Sequence, residues 1–156
     1  DVGGRKRLEE GEADAWASIV ETNVTGLIRM TRAVIPGMLE RGRGQIVNVG
    51  SIAGLRAYKG GNVYNATKFA VRGFSDALRI DYADTPLRII EILPGLVRTG
   101  FASARSGGDE AAARAFYESF PGWLEPEDVA RTILYALEQP PHVTIAQLVV
   151  VPTRTA

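Results

Sequence analysis

The sequence predicts an α/β fold in which helices cover both faces of a parallel sheet, and three observations carry that expectation. Helical and strand-like segments alternate in the order helix, strand, helix, strand, helix, strand. The strand-like runs QIVNVGS, LRIIEIL and QLVVVP are short, rich in Ile and Val, and nearly continuous in apolar character, as strands buried on both faces are. The first two lead into glycine-containing loops, GSIAG and PGLVRT. This order calls for right-handed crossovers between parallel strands. Ligands bind beyond the carboxyl ends of such strands, so the two loops are expected to converge on one crevice.

The first helical stretch runs from about Ala13 to Glu40. Trp16, Ile19, Val20, Val24, Leu27, Ile28, Val34, Ile35, Met38 and Leu39 recur there at spacings of three and four. Pro36 is expected to kink or divide it, and the Gly42 to Gly44 cluster to end it. After the QIVNVGS strand, Asn62 is placed at the N-cap of a second helix carrying Val63, Phe69, Ala70, Phe74, Leu78 and Ile80 to about Ala83. LRIIEIL follows as a strand stopped by Pro94 and Gly95.

TGFASARSGGDE is the least regular part of the chain and leads to a short Ala-rich helix from about Glu110 to Ser119. An excursion of this length between a strand and a helix reads as a substrate lid. PEDVARTILYALEQ is the third main helix, with Glu125 or Pro126 at its start and Asp128 in its first turn. QLVVVP is the third strand.

Residues 1–156 read as a single domain of ordinary globular composition, 46% hydrophobic. Eighteen Lys and Arg balance eighteen Asp and Glu, which gives no electrostatic basis for nucleic acid or an anionic membrane as partner. A small-molecule substrate is expected instead. The sequence has no cysteine, hence no disulfide, thiol nucleophile or Cys-based metal site, and no metal is expected. No apolar run approaches the roughly 20 residues that span a bilayer, and DVGGRKRLEEGE lacks a signal peptide's apolar stretch. The expectation is a soluble cytoplasmic protein.

The chemistry centres on VYNATK. Tyr64 and Lys68 are four residues apart and share a helical face, and Ser51 lies thirteen residues before Tyr64 at the end of the first strand. A tyrosine with its ordinary pKa of about 10 is not a base at neutral pH. Lowering it to about 7 takes roughly 4 kcal/mol, which an ammonium about 4 Å away supplies at an effective dielectric near 20. The helix N-terminus pushes the same way. Taken alone, YxxxK equally describes a surface helix with a lysine stem lying on a ring, and a serine after a strand is ordinarily a turn residue. The three together make an acid/base centre in which Ser51 holds a substrate oxygen.

TNVTG, GQIVNVGSIAG, YNATK and ILPGLVRTGF, in this order and spacing, resemble the C-terminal two-thirds of a short-chain dehydrogenase/reductase. The resemblance implies a Rossmann-like doubly wound parallel sheet, here without its N-terminal cofactor-binding strands. It implies that Tyr64 is the general acid/base, that Lys68 binds the nicotinamide ribose and lowers the Tyr64 pKa, and that Ser51 orients the reacting oxygen. Asn23 falls on the family's fourth catalytic residue, an asparagine that anchors a water to the lysine. Its alternative role is that of a polar residue kinking the helix. Pro94, Gly95, Val97 and Thr99 are placed against the nicotinamide carboxamide through backbone groups and the Thr99 hydroxyl, and Asn48 is a structural residue of the sheet.

TRAVIPGMLERGRGQIVNVGSIAG, GNVYNATKFAVRGFS, PGLVRTGF and EQPPHVTIAQLVVVPT are most similar to the NADP-dependent 3-hydroxy acid dehydrogenases, a subgroup acting on serine, allo-threonine and related acids. NADP is thus the expected cofactor, with NAD as the alternative, because the residue choosing between them belongs to a segment this sequence does not contain. The family's TGxxxGxG turn and NNAG segment are likewise not in the sequence, so the chain is expected to carry the catalytic part without the pyrophosphate site. The 156 residues alone are expected to turn over no substrate.

Arg98 and Arg105 are candidates for holding a substrate carboxylate, against the ordinary role of solvated surface charges. His142 is read as a loop residue. Helices starting near Ala13 and Val63 are expected to form the family's dimer contact in a homodimer or homotetramer. The alternatives are a 3-oxoacyl thioester reductase of the same family, or a non-catalytic relative of the fold acting in binding.

Overall fold

In a computed structural model, which describes residues 7–154, three strands form one parallel sheet in the order β1-β2-β3: β1 Gly44–Val49, β2 Leu87–Pro94 and β3 Gln147–Val150. Gly44 to Val49 pair in register with Leu87 to Ile92, and Glu91 to Pro94 with Gln147 to Val150. The helices are α1 Ala13–Val20, α2 Leu27–Glu40, α3 Asn62–Asp81, α4 Phe101–Arg105, α5 Glu110–Glu118 and α6 Pro126–Leu137.

β2 is buried along all its residues because helices cover both of its faces. Leu87 and Ile89 pack with Ile35, Ile46 and Leu78 beneath α2 and α3. Ile90 and Ile92 pack with Ala136, Val129 and Ile133 of α6. Each such Ile contributes about 2 kcal/mol by leaving water, which explains why LRIIEIL has no polar alternation. β1 departs from the expectation of burial on both faces: Gln45 and Val49 are exposed, while Val47 between them is half-buried against the core that α6 forms mainly with β2 and β3. Its outer edge pairs with no strand among the described residues.

The long first helix is interrupted, but not at Pro36. α2 runs unbroken through Pro36, which lies on the exposed face of the helix, as does Arg32 four residues before it, where a carbonyl left without its helical donor is open to solvent. The interruption is a π-helical turn, Glu21–Gly26, spanning ETNVTG. Such a turn inserts a residue into the helical repeat and turns its side chains off the regular stripe. Asn62 is the first residue of α3 and not its cap; Gly61 holds the cap position, and the Asn62 side chain accepts from Val63 N–H at 2.7 Å.

The irregular segment holds the short helix α4. Thr99 Oγ1 accepts from Phe101 N–H at 3.1 Å at its start. α5 begins at Asp109, whose Oδ1 accepts from Ala111 and Ala112 N–H. Ala102, Ala113 and Tyr117 join Leu96, Phe116 and Trp123 in a separate small core beneath this excursion. α6 starts as expected: Glu125 is its cap, Pro126 its first residue, and Asp128 accepts from Glu125 N–H at 2.8 Å. Arg88 closes its far end by donating to the Leu137 and Gln139 carbonyls.

Candidate active site

The carboxyl ends of β1 and β2 and the first turns of α3 meet at one place, and the turn after β1 is locked onto the helix. Ser51 is extended and its Oγ accepts from Ala53 N–H at 3.1 Å, which folds Ile52–Gly54 into a tight turn and leaves the hydroxyl proton to donate outward. Asn65, buried in α3, donates from Nδ2 to the Ala53 carbonyl at 2.8 Å. Gly54 sits so close to α3 that a Cβ there would lie 2.6 Å from the Lys68 carbonyl oxygen. Only glycine permits this approach. These contacts hold the turn carrying Ser51 against the helix carrying Tyr64 and Lys68.

Lys68 Nζ donates to the Val49 carbonyl at 3.1 Å, at the end of β1, and lies 5.7 Å from the centroid of the Tyr64 ring. Burial pushes the Lys68 pKa below its ordinary value, and the negative charge of Glu91 partly opposes the shift. An ammonium has three N–H donors, so two remain beyond the bond to Val49. Phe101, at the start of α4, rests on the Tyr64 ring at 5.9 Å between centroids.

Asn23 lies on the π-helical turn, and the displaced repeat brings it to α3. Its Nδ2 donates to Thr67 Oγ1 at 3.1 Å, while Thr67 donates to the Tyr64 carbonyl at 2.8 Å. Asn23 is thereby tied to the helical turn between Tyr64 and Lys68, with its Oδ1 as the remaining acceptor. Asn48 is buried and donates to Ser75 Oγ at 2.9 Å, joining β1 to α3.

Pro94 ends β2 against Val150, and Gly95 N–H bonds the Val150 carbonyl at 2.8 Å. Val97 is half-buried and bridges to Leu124, and Thr99 is exposed at the mouth of the segment with its hydroxyl accepting from Phe101 N–H at the start of α4. The strand-ending turn gives no reason for a threonine at this position, but the bond to Phe101 N–H does. The structure thus gathers Asn23, Ser51, Tyr64 and Lys68 around the start of α3 and sets Pro94, Gly95, Val97 and Thr99 on the neighbouring strand exit.

Arg98 is already engaged by neighbours in this structure. Its guanidinium pairs with Glu125 at 2.5 Å and lies over Trp123 at 5.4 Å. The Arg105 side chain lies outside the described residues. His142 is exposed in the turn before β3. Asn65, Thr67, Phe101 and Tyr117 were not singled out by the sequence. An Asn and a Thr on the buried face of an amphipathic helix, where apolar residues belong, were the available signal for the first two.

Residues 2–109 match the short chain dehydrogenase family, and the chain belongs to it. It is 44% identical over 150 residues to an NADP-dependent 3-hydroxy acid dehydrogenase of Salmonella typhi, covering 96% of this chain and 60% of the relative. It is 44% identical over 142 residues to a sulfoacetaldehyde reductase of Chromohalobacter salexigens, covering 90% and 56%. Among solved structures, the closed form of serine dehydrogenase complexed with NADP+ superposes with a TM-score of 0.92 at 42% identity, over 96% of this chain and 60% of that one. The chain therefore spans a little over half the length of the relatives it matches.

Proposed function

We propose that the whole protein is an NADP-dependent oxidoreductase that moves a hydride between nicotinamide and a small hydroxy or carbonyl substrate, a short 3-hydroxy acid such as serine or allo-threonine. The observation that carries this reading is the Lys68 ammonium anchored on the Val49 carbonyl beside the Tyr64 ring, with the Ser51 turn locked to the same helix. The relatives named for 3-hydroxy acid and serine dehydrogenation support the substrate class. The sulfoacetaldehyde reductase supports a small anionic carbonyl compound.

The donor set fits the nicotinamide end of the cofactor. Lys68 keeps two N–H donors for ribose hydroxyls, and the Thr99 hydroxyl, which accepts from Phe101 N–H, keeps its own proton to donate to a group of the kind a carboxamide presents. When bound, nicotinamide accepts or gives the hydride. Tyr64 takes the substrate hydroxyl proton during oxidation and returns one during reduction. The Lys68 charge beside it favours the phenolate that this role needs. Ser51 donates to the same substrate oxygen, and Asn23 holds a water that leads protons away from Lys68.

The enzyme works in the cytoplasm as a homodimer or homotetramer. No helix among the described residues is long and apolar enough to cross a membrane. Val20, Met30 and Phe69 on α1 to α3 stand 42%, 66% and 43% exposed, an apolar surface of the kind a second copy covers.

The test is a screen of the whole protein with NADP and with NAD against L- and D-serine, allo-threonine, other 3-hydroxy acids, simple alcohols and 3-oxoacyl thioesters, followed at the nicotinamide absorbance. Turnover of a 3-hydroxy acid with NADP is expected. Preference for a thioester, or for NAD, would overturn the corresponding part of the reading, and activity with none of them would overturn the whole.

A further inference from the structure

The Tyr117 hydroxyl lies among three backbone groups of a single segment. It accepts from Thr99 N–H at 3.1 Å, and the Val97 and Thr99 carbonyls lie 3.1 and 3.0 Å away to take its proton. The ring is 7% exposed and packed by Ala102, Ala113, Phe116 and Trp123, so it comes from α5, across the excursion from the strand exit it touches. Residues 97–99 belong to no helix or strand and need such partners. Leu124 supplies another: Arg98 N–H bonds the Leu124 carbonyl, and Leu124 N–H bonds the carbonyl of the adjoining Leu96, both at 2.8 Å. Thr99 Oγ1 in turn accepts from the N–H of Phe101, the first residue of α4, whose ring rests on that of Tyr64.

We infer that Tyr117 is a positioning residue: its hydroxyl latches α5 to the Val97–Thr99 backbone and so holds Thr99 and the start of α4 in register with Tyr64 and the nicotinamide. The inference rests on the functional reading above, because it assigns that segment to the nicotinamide end of the cofactor. A phenol suits the task because one oxygen both accepts and donates, satisfying two groups of an irregular segment at once. Phenylalanine keeps the ring packing and removes only this link. The segment that loosens is the one facing nicotinamide, so the loss falls on that end of the cofactor and spares the adenosine end.

The experiment measures binding by calorimetry in the whole protein, using NADP and adenosine 2′,5′-bisphosphate, which has no nicotinamide. In Tyr117→Phe, NADP affinity is expected to fall about tenfold, the cost of one or two hydrogen bonds. Affinity for the bisphosphate is expected to stay within about twofold. Phe116→Leu, a packing change beside Tyr117 that leaves the hydroxyl in place, is expected to lower the melting temperature without changing the ratio of the two affinities. Unchanged NADP affinity in Tyr117→Phe, equal weakening of both ligands, or an equal change of ratio in Phe116→Leu would each overturn the latch. Failure of the unaltered protein to bind NADP would instead overturn the functional reading on which the latch rests, and so is distinguishable from failure of the latch.

Discussion

Gly54→Ala tests whether the close seating of the Ser51 turn on α3 is what builds the site. The added Cβ would lie 2.6 Å from the Lys68 carbonyl oxygen and 3.0 Å from its carbon, both backbone atoms of a twenty-residue helix that cannot rotate aside. Ordinary contact begins near 3.4 Å, so the turn and the helix must separate by about 0.8 Å. Overpacking of this kind costs about 1–3 kcal/mol, or a fall of roughly 3–9 °C in melting temperature for a domain of this size. The same separation draws the Ser51 hydroxyl away from Tyr64, and a displacement near 1 Å costs about 10²-fold in rate. Circular dichroism with temperature reads the first effect and kcat in the whole protein reads the second. A variant that melts and turns over like the unaltered protein would refute the reasoning; one that stays folded at the assay temperature yet loses turnover is the expected result.

The buried ionisable groups give further expectations. Burial pushes the Glu91 pKa above its ordinary 4.5 against the Gln147 hydrogen bond and the charges of Arg79 and Arg72, while Asp76 pushes with it; one oxygen, Oε1, has no partner among the described residues. The folded state then binds more protons than the unfolded one, so stability present at acid pH is lost as pH rises from 4.5 through the folded value. Glu91→Gln removes that loss, and its stability relative to the unaltered protein, from urea unfolding, is expected to rise with pH above 4.5; a flat difference would contradict this. Lys68 titrates the other way: its pKa is lowered from 10.5, so the folded state holds fewer protons, and the unaltered protein gains stability as pH climbs toward 10.5. Lys68→Met, inactive at every pH, is expected to show its most favourable relative stability near neutrality and to lose ground as pH approaches 10.5. Asn65→Ala leaves the Ala53 carbonyl without its 2.8 Å donor, and is expected to cost about 1–3 kcal/mol in urea unfolding while lowering kcat more than an equally destabilising change in the α6 core.

Ser51, Tyr64 and Lys68 were legible because their link is local: two lie four residues apart on one helix, and the third ends a strand whose apolar run is unmistakable. Asn23 was legible only through the family pattern, since nothing in its spacing announces the π-helical turn that aims it at Thr67, 44 residues away. Pro36 does not divide the helix as one of its two expected effects had it, because a proline on an exposed helix face leaves its unpaired carbonyl open to solvent, a matter of tertiary packing. Tyr117 reads in AFYESF as one more apolar position, and its hydroxyl finds the 97–99 backbone only when the excursion folds over the strand exit. Arg98 was a reasonable anion-binding candidate by position, but Glu125 and Trp123, distant in sequence, engage it. The helices and strands follow from periodicity; partnerships made across 12 to 44 residues by single polar atoms do not.

The central claim is that Tyr64 moves the substrate proton beside the Lys68 charge. The most direct test is Tyr64→Phe in the whole protein, with turnover followed at the nicotinamide absorbance and NADP binding by calorimetry on the same preparation. The account predicts a loss of turnover of about 10³-fold or more with NADP affinity within about twofold of the unaltered protein. Retention of more than a few per cent of the turnover by a folded, NADP-binding variant would contradict it.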